Sequence, residues 1–108
     1  MKKRYVLDYC PKDVVAKLAQ KYAKEIEEGS SLWDCVDPSS LERSVVATTE
    51  AQALKHAIKL VPQDEYGEVR VYEQIEEVIE GTTLSDWETV RMAVVYDAAK
   101  TLEFHPYR

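Results

Sequence analysis

Residues 42–73 constrain the fold most, because they predict a strand, a helix and a second strand with signals for each boundary. Residues 43–48 are short and β-branched, which is typical of a buried strand. Thr49 is placed to cap a helix, and Gln52 holds the position that a capping box requires. Pro62 ends the helix, and a polar turn then leads to a second β-branched strand. The unit predicts two strands joined by a crossover that is long enough for them to run parallel.

The helix of this unit is amphipathic, and its apolar side is expected to lie against the strands. The apolar positions on one side are Ala51, Leu54, Ala57, Ile58 and Val61, and those on the opposite side are Gln52, Lys55, His56 and Lys59. We therefore expect the sheet to cover the side that carries Leu54, Ile58 and Val61.

The remaining stretches complete a β-α-β-α-β-α order. Residues 4–9 predict a first strand, and residues 12–28 predict a helix that ends at a glycine. Residues 85–102 predict a final helix, with Ser85 as its N-cap. Residues 74–80 favour a short helix but could also prolong the strand before them.

The predicted fold is a single compact α+β domain over residues 1–108. It has a small sheet of about three strands packed by three helices in β-α-β-α-β-α order. A chain of 108 residues is near the commonest domain size, and its 45% hydrophobic residues supply one core.

The expected location is the cytoplasm. No apolar run reaches the length of a membrane span, and the basic residues 1–4 precede a segment too short and polar for a signal peptide. In a reducing compartment, Cys10 and Cys35 are expected to be free thiols, with a disulfide as the alternative.

Charge is unevenly distributed along the chain. The formal net charge is −6, yet residues 1–24 hold seven basic against two acidic side chains, and residues 63–88 hold nine acidic against one basic. Such segregation bears on partners and association rates more than on the fold.

The sequence predicts no enzyme, cofactor or metal. His56 and His105 lack neighbours that would make a nucleophilic pair or a zinc site with Cys10 or Cys35. There is no glycine-rich phosphate loop, and the acidic run lacks the alternation of a calcium loop.

The favoured function is a non-enzymatic protein-binding module with an acidic recognition surface. Its partner would be another protein with a basic surface, because the net charge opposes direct nucleic-acid binding. The candidate binding residues are Asp64, Glu65, Tyr66, Glu68, Tyr72, Glu73, Glu76, Glu77, Glu80 and, as an aromatic anchor, Trp33.

In size, acidity and lack of catalytic residues, the chain is similar to phage- or plasmid-encoded inhibitors of nucleic-acid-binding machinery, such as anti-CRISPR and antirestriction proteins. This likeness is one of composition and involves no shared motif. It implies that carboxylates along an elongated surface occupy a protein groove built for phosphates.

Two other interpretations remain open. The protein could be a self-associating structural or regulatory domain, a homodimer whose basic and acidic ends pair with Met92, Tyr96 and Ala99 at the seam. It could also be a small enzyme that uses carboxylates or Cys35.

Overall fold

The computed structural model describes residues 2–96 and 101–107, and for Trp33, Pro38 and Ser39 it describes the backbone alone. The described residues form the strands β1 (Lys3–Tyr9), β2 (Arg43–Ala47), β3 (Glu68–Val78), β4 (Ser85–Tyr96) and β5 (His105–Pro106). The helices are α1 (Lys12–Lys21), α2 (Ala23–Glu27), α3 (Leu32–Cys35) and α4 (Glu50–Leu60), with 3₁₀ turns at Pro38–Leu41 and Val61–Gln63.

The strands form one open antiparallel sheet in the order β2-β1-β3-β4-β5. The predicted three-stranded sheet packed by three helices in β-α-β-α-β-α order is therefore wrong. Both β2 and β3 pair with β1 in antiparallel fashion, so they run parallel to each other with β1 between them. The crossover through α4 spans this intervening strand.

Over Ser85–Tyr96 the predicted final helix is instead strand β4. Its predicted continuation through residues 97–100, with Ala99 of the predicted seam, lies outside the described residues. Strand β4 pairs with β3 along an 11-residue strand, and the register shifts where Glu73 faces Arg91 and Gln74 faces Thr89. Val90 is the extra residue of this bulge, and it reverses the alternation of side chains between the two faces. Because of this reversal, apolar residues of β4 fall at spacings that imitate a helix.

Residues 74–78 continue β3, the alternative left open for this segment, and residues 79–80 lead into the turn that follows. The predicted helix 12–28 is divided at Tyr22 into α1 and α2. Among the helix predictions, the cap of α4 is confirmed, since Gln52 N–H donates to Thr49 Oγ1 at 3.2 Å. The Gln52 side chain accepts from the Thr48 backbone instead of completing the box with Thr49.

Helix α4 packs on one face of the sheet and forms the main core there. Its buried residues, Ala53, Ala57 and Leu60, recur at helical spacing, and small alanines let the helix approach the strands closely. This side is rotated from the predicted one: Ile58 is 48% exposed and Leu54 is half-buried. The strands contribute Tyr5, Leu7, Ala47, Val69, Val71, Ala93 and Val95 to the same cluster.

A second cluster lies where β1 ends, around Cys10, Val15 and Leu41. It packs α1 against α3 and the following 3₁₀ turn. Neither buried cluster contains side chains from the opposite face of the sheet, which we call the outer face. The chain is consequently flat, with extents of 54 × 38 × 21 Å.

Candidate protein-docking arm

The hairpin of β3 and β4 extends beyond its neighbouring strands. β1 pairs with β3 as far as Ile75, and the last backbone bond on that side runs from Glu76 N–H to the Lys2 carbonyl. Among the described residues, β5 pairs with β4 at Arg91 and Met92, and Tyr107 N–H donates to the Val90 carbonyl. Residues 76–88 are therefore a two-stranded projection, which we call the hairpin arm.

A tight turn fixes the tip of the hairpin arm. Ile79 N–H donates to the Leu84 carbonyl at 3.0 Å. Thr82 donates hydrogen bonds from both its N–H and its hydroxyl to the Ile79 carbonyl. Gly81 has a φ of +80°, a left-handed backbone conformation that residues with a Cβ rarely adopt. The turn holds Ile79 and Leu84 opposite each other.

The hairpin arm carries five carboxylates and no basic side chain: Glu76, Glu77, Glu80, Asp86 and Glu88. Glu77 lies directly across the strand pair from Asp86, and Glu88 follows Asp86 on the same side. Within residues 2–96 and 101–107, none of the five forms a salt bridge. Like charges placed directly opposite on a hairpin are destabilising in isolation.

Apolar side chains are exposed at the end of the same arm. Val78 is 67%, Ile79 47% and Leu84 64% exposed. The arm therefore combines exposed apolar side chains at its end with carboxylates that form no salt bridge among the described residues.

The base of the arm is anchored to the sheet by Arg4. Its guanidinium lies 4.2 Å from the centre of the Trp87 ring, and its Nε donates to Gln74 Oε1 at 2.8 Å. Gln74 in turn donates to Thr89 Oγ1 at 3.1 Å. These contacts cross from β1 to β4 and fix the direction in which the arm leaves the sheet.

The predicted binding residues at 64–68 lie at the other end of β3, about 33 Å from Val78 at ~3.3 Å per residue. Asp64 is buried and accepts from the backbone N–H groups of Cys10 (2.6 Å), Tyr66 (2.8 Å) and Glu68 (3.2 Å). Its carboxylate connects the end of β1 to the start of β3, and because it is buried it is not accessible to a partner. Glu65 and Tyr66 are exposed there.

Glu73 is also buried, on the face that α4 covers. Arg91 Nε donates to its Oε1 at 2.9 Å, and the second guanidinium nitrogen contacts Oε2. Hydrogen bonds from Arg91, the charges of Arg91 and Lys3, and a Tyr5 hydrogen bond together outweigh desolvation and lower the pKa of Glu73. Burial first, and then the charge of Glu73, raise the pKa of Tyr5.

Two aromatic candidates lie apart from the arm. Tyr72 is half-buried on the outer face and contacts Tyr107 edge-on at 5.9 Å between ring centres. Trp33 belongs to α3, and its side chain lies outside the described part of the structure. The predicted binding residues therefore occupy several separate places, and only Glu76, Glu77 and Glu80 belong to the hairpin arm.

The apolar tip residues Val78, Ile79 and Leu84 were not among the binding residues predicted from the sequence. The available signal was Gly81 followed by two threonines between two segments rich in β-branched residues, a pattern typical of a hairpin. Assigning helices on both sides of this glycine removed the turn and, with it, the exposed tip.

Cys10 is buried, and this burial, followed by the charges of Asp64 and Glu65, raises the pKa of its thiol. A protonated thiol is a poor nucleophile. No group of three or more His, Cys, Asp or Glu side chains among these residues could hold a metal ion.

An open groove of about 600 Å³ separates α1 from residues 35–43. Its apolar floor includes Leu18 and Leu41, and Lys17 and Arg43 stand with Asp37 at its edges. Both cysteines are free. In the part of the chain that the structure describes, no helix is long and apolar enough to cross a membrane.

No family model matches the chain, and no match was found among curated proteins or solved structures.

Proposed function

We propose that the protein is a binding module that docks its hairpin arm onto a basic surface of another protein. The observation that carries this proposal is the exposed Glu77–Asp86 cross-strand pair, which forms no salt bridge among the described residues. A partner's lysine or arginine placed between the two carboxylates would remove their mutual repulsion. Binding would then relieve a cost that the free protein carries.

The exposed tip favours a protein as the partner. Carboxylates alone would equally suit solubility, but Val78, Ile79 and Leu84 add apolar area that a docking partner would remove from water. A nucleic acid is opposed by the charge of the arm, since affinity for phosphates depends on cations. The two kinds of contact have separate roles: the carboxylates steer the encounter, and the apolar tip slows dissociation.

The class of partner that fits this charge is a protein with a cationic groove of the kind used to bind nucleic acid. A narrow acidic hairpin can enter such a groove and exclude its phosphate ligand. The protein would then act as an inhibitor, in line with its likeness in composition to small inhibitors from phages and plasmids. We infer that it acts in the cytoplasm, where the free thiols Cys10 and Cys35 would persist.

The test compares two double charge reversals of equal net charge on a partner captured from the native host. Glu77→Lys/Asp86→Lys changes the arm, and Glu65→Lys/Glu68→Lys changes the far end of β3. We expect the arm variant to slow association at least about tenfold at 0.1 M salt, because steering acts on the association rate. At 1 M salt the difference should disappear, since the Debye length falls from about 10 Å to about 3 Å.

The matched pair separates a specific arm from a general charge effect. Equal slowing by both variants would mean that only the total charge matters, and the proposal would fail. Normal association of the arm variant at low salt would leave the five carboxylates as a solubility feature. Addition of DNA or heparin to the captured complex tests the partner class, because a polyanion should compete for the same cationic groove.

A further inference from the structure

An apolar row crosses four strands on the outer face of the sheet. The strand registers place Val46 of β2, Val6 of β1, Tyr72 of β3 and Met92 of β4 side by side. Val46 remains 55% exposed, and the other three are half-buried. None of the four belongs to either buried cluster of the described residues.

Several polar side chains beside the row are partnered within the chain, and His105 of β5 extends the row beyond Met92. Ser44 Oγ donates to Asp8 Oδ1 at 2.6 Å, and Arg70 forms an ion pair with Glu42. Arg4 is held by Gln74 and by the Trp87 ring. A partner on this face would therefore meet an apolar centre with satisfied polar groups around it, which resembles the arrangement of a protein interface.

The accessible area leaves room for such an interface. The chain exposes 7489 Å², whereas a monomer of 12.4 kDa exposes about 6,100 Å² by the usual scaling with mass. The excess is larger than the roughly 800 Å² that each partner buries in an interface of standard size. Covering the outer face would bring the chain close to the exposed area of an ordinary compact protein.

The pattern along β1 selects a second copy of this chain as the partner. On the outer face β1 presents Arg4, Val6 and Asp8 in sequence, so a basic and an acidic residue flank the apolar row. A two-fold axis along the row superposes the two rows and reverses the strands. Arg4 of each copy then lies over Asp8 of the other, and Gln74 lies over Arg70.

We propose that two copies pack by their outer faces about such an axis, with the apolar rows in contact. The interface is isologous, so each pairing of Arg4 with Asp8 occurs twice. The sheets would pack about 10 Å apart with nearly aligned strands, and the α4 helices would form the outer layers. This inference is independent of the hairpin arm and of its basic partner.

The oligomeric state, measured by sedimentation velocity over a concentration series, tests the interface. Met92→Glu and Val46→Glu each place a charge in the apolar row and should raise the dimer dissociation constant more than about tenfold. The matched control is Ile58→Glu, since Ile58 is similarly exposed at 48% but lies on α4. It should leave the dimer unchanged, and circular dichroism verifies that each variant is folded.

Charge exchange tests the orientation. Arg4→Asp and Asp8→Arg should each weaken the dimer, and the double variant Arg4→Asp/Asp8→Arg should recover it, because the two positions exchange roles across the axis. Glu77→Lys/Asp86→Lys should have no effect on dimer formation. If Met92→Glu does not fold, the exposed position Val46 provides the test of the row.

Four results would overturn the proposal. If the wild-type chain stays monomeric at about 100 μM, it lacks the interface, because even a weak dimer with a dissociation constant below this concentration would be populated. A dimer that persists in both row variants uses another surface. A dimer lost in the hairpin-arm variant forms through the arm, and failure of the charge exchange to restore association excludes the proposed axis.

Discussion

The carboxylate of Glu73 lies in the core although the acidic side chains that follow it in β3 reach solvent. Strand alternation explains this position, because Val69, Val71 and Glu73 are two residues apart and face α4 together. The signal was present in the sequence, but the helix assigned to residues 74–80 grouped Glu73 with the surface carboxylates. For Asp64 the local signal was incomplete. Its bonds from Tyr66 and Glu68 N–H are typical of an Asx turn, but its third donor, Cys10 N–H, is 54 residues away in the sequence.

Replacing Glu73 with Gln should change the dependence of stability on acid. The pKa of Glu73 is lowered from its usual 4.5, chiefly by hydrogen bonds from Arg91. The ionised carboxylate therefore stabilises the fold above about pH 4.5, and this stabilisation is lost as the pH falls through the lowered folded-state pKa. In urea unfolding, Glu73→Gln should have a lower free energy of unfolding than the wild type at pH 7. This difference in free energy should become smaller towards pH 3.

The Glu65→Gln variant serves as the control for Glu73→Gln, because Glu65 is exposed and forms no salt bridge among the described residues. Its stability should follow that of the wild type. If the difference in free energy of unfolding between Glu73→Gln and the wild type stayed constant between pH 7 and pH 3, the Glu73–Arg91 pair would not contribute to the pH dependence of stability.

Ala57 should not tolerate a larger side chain. It is fully buried where α4 approaches the sheet, so Ala57→Leu is expected to cost about 1–3 kcal/mol by overpacking. Ala51→Leu makes the same change on the same helix at an exposed position, and it should leave the melting temperature nearly unchanged. Equal effects of the two substitutions would contradict the orientation of α4.

At the scale of elements, the sequence was most informative where local signals agree. β1, β2 and the capped start of α4 were predicted within a few residues, because alternation, β-branching and capping point to the same structure. β4 was predicted as a helix, because its bulge at Val90 breaks the alternation and Ser85 imitates a cap. The bulge is fixed by pairing with β3 across the hairpin, where Gln74 and Thr89 are 15 residues apart, so periodicity within β4 alone could not reveal it.

The hairpin arm should become more stable when its like-charged pair is removed. Asp86→Lys places a cation directly opposite Glu77, and an opposite-charge cross-strand pair contributes about 0.2–1 kcal/mol. Urea unfolding should show this gain, whereas Glu65→Lys at the far end of β3 should show none. The same Asp86→Lys change should weaken binding to a basic partner, which would show that the arm sacrifices stability for recognition.

Loss of stability in Asp86→Lys would indicate that the two side chains do not face each other across the arm. If Asp86→Lys raised stability but left binding unchanged, the carboxylates would repel each other within the hairpin without taking part in docking.

At the scale of the whole molecule, flatness is the property that local sequence patterns did not predict. The radius of gyration is 16.9 Å, compared with about 13 Å for a compact domain of this length. The excess follows from a sheet covered on one face and from a hairpin that extends past its neighbours. Both features depend on which strands pair, and composition alone predicted a compact domain.

The flat shape makes the arrangement of two copies measurable by small-angle X-ray scattering. The squared radius of gyration of a dimer is that of one copy plus the square of half the separation between their centres. Face-to-face packing separates the centres by about the shortest extent of 21 Å, which gives a dimer radius of about 20 Å. Contact along the 38 Å or the 54 Å direction instead gives about 25 Å or about 32 Å.

We expect the wild-type dimer to scatter with a radius near 20 Å and the Val46→Glu variant with a radius near that of one copy. A radius near 25 Å would indicate pairing through the edge strands, which present unpaired backbone groups and are the usual alternative for an open sheet. A radius near 32 Å would indicate contact through the ends of the molecule, where the hairpin arm of one copy would reach its partner. Stacking through the α4 face would also give a radius near 20 Å, so scattering distinguishes face-to-face packing from contact through edges or ends. Loss of the dimer in Val46→Glu but not in Ile58→Glu then assigns the contact to the outer face.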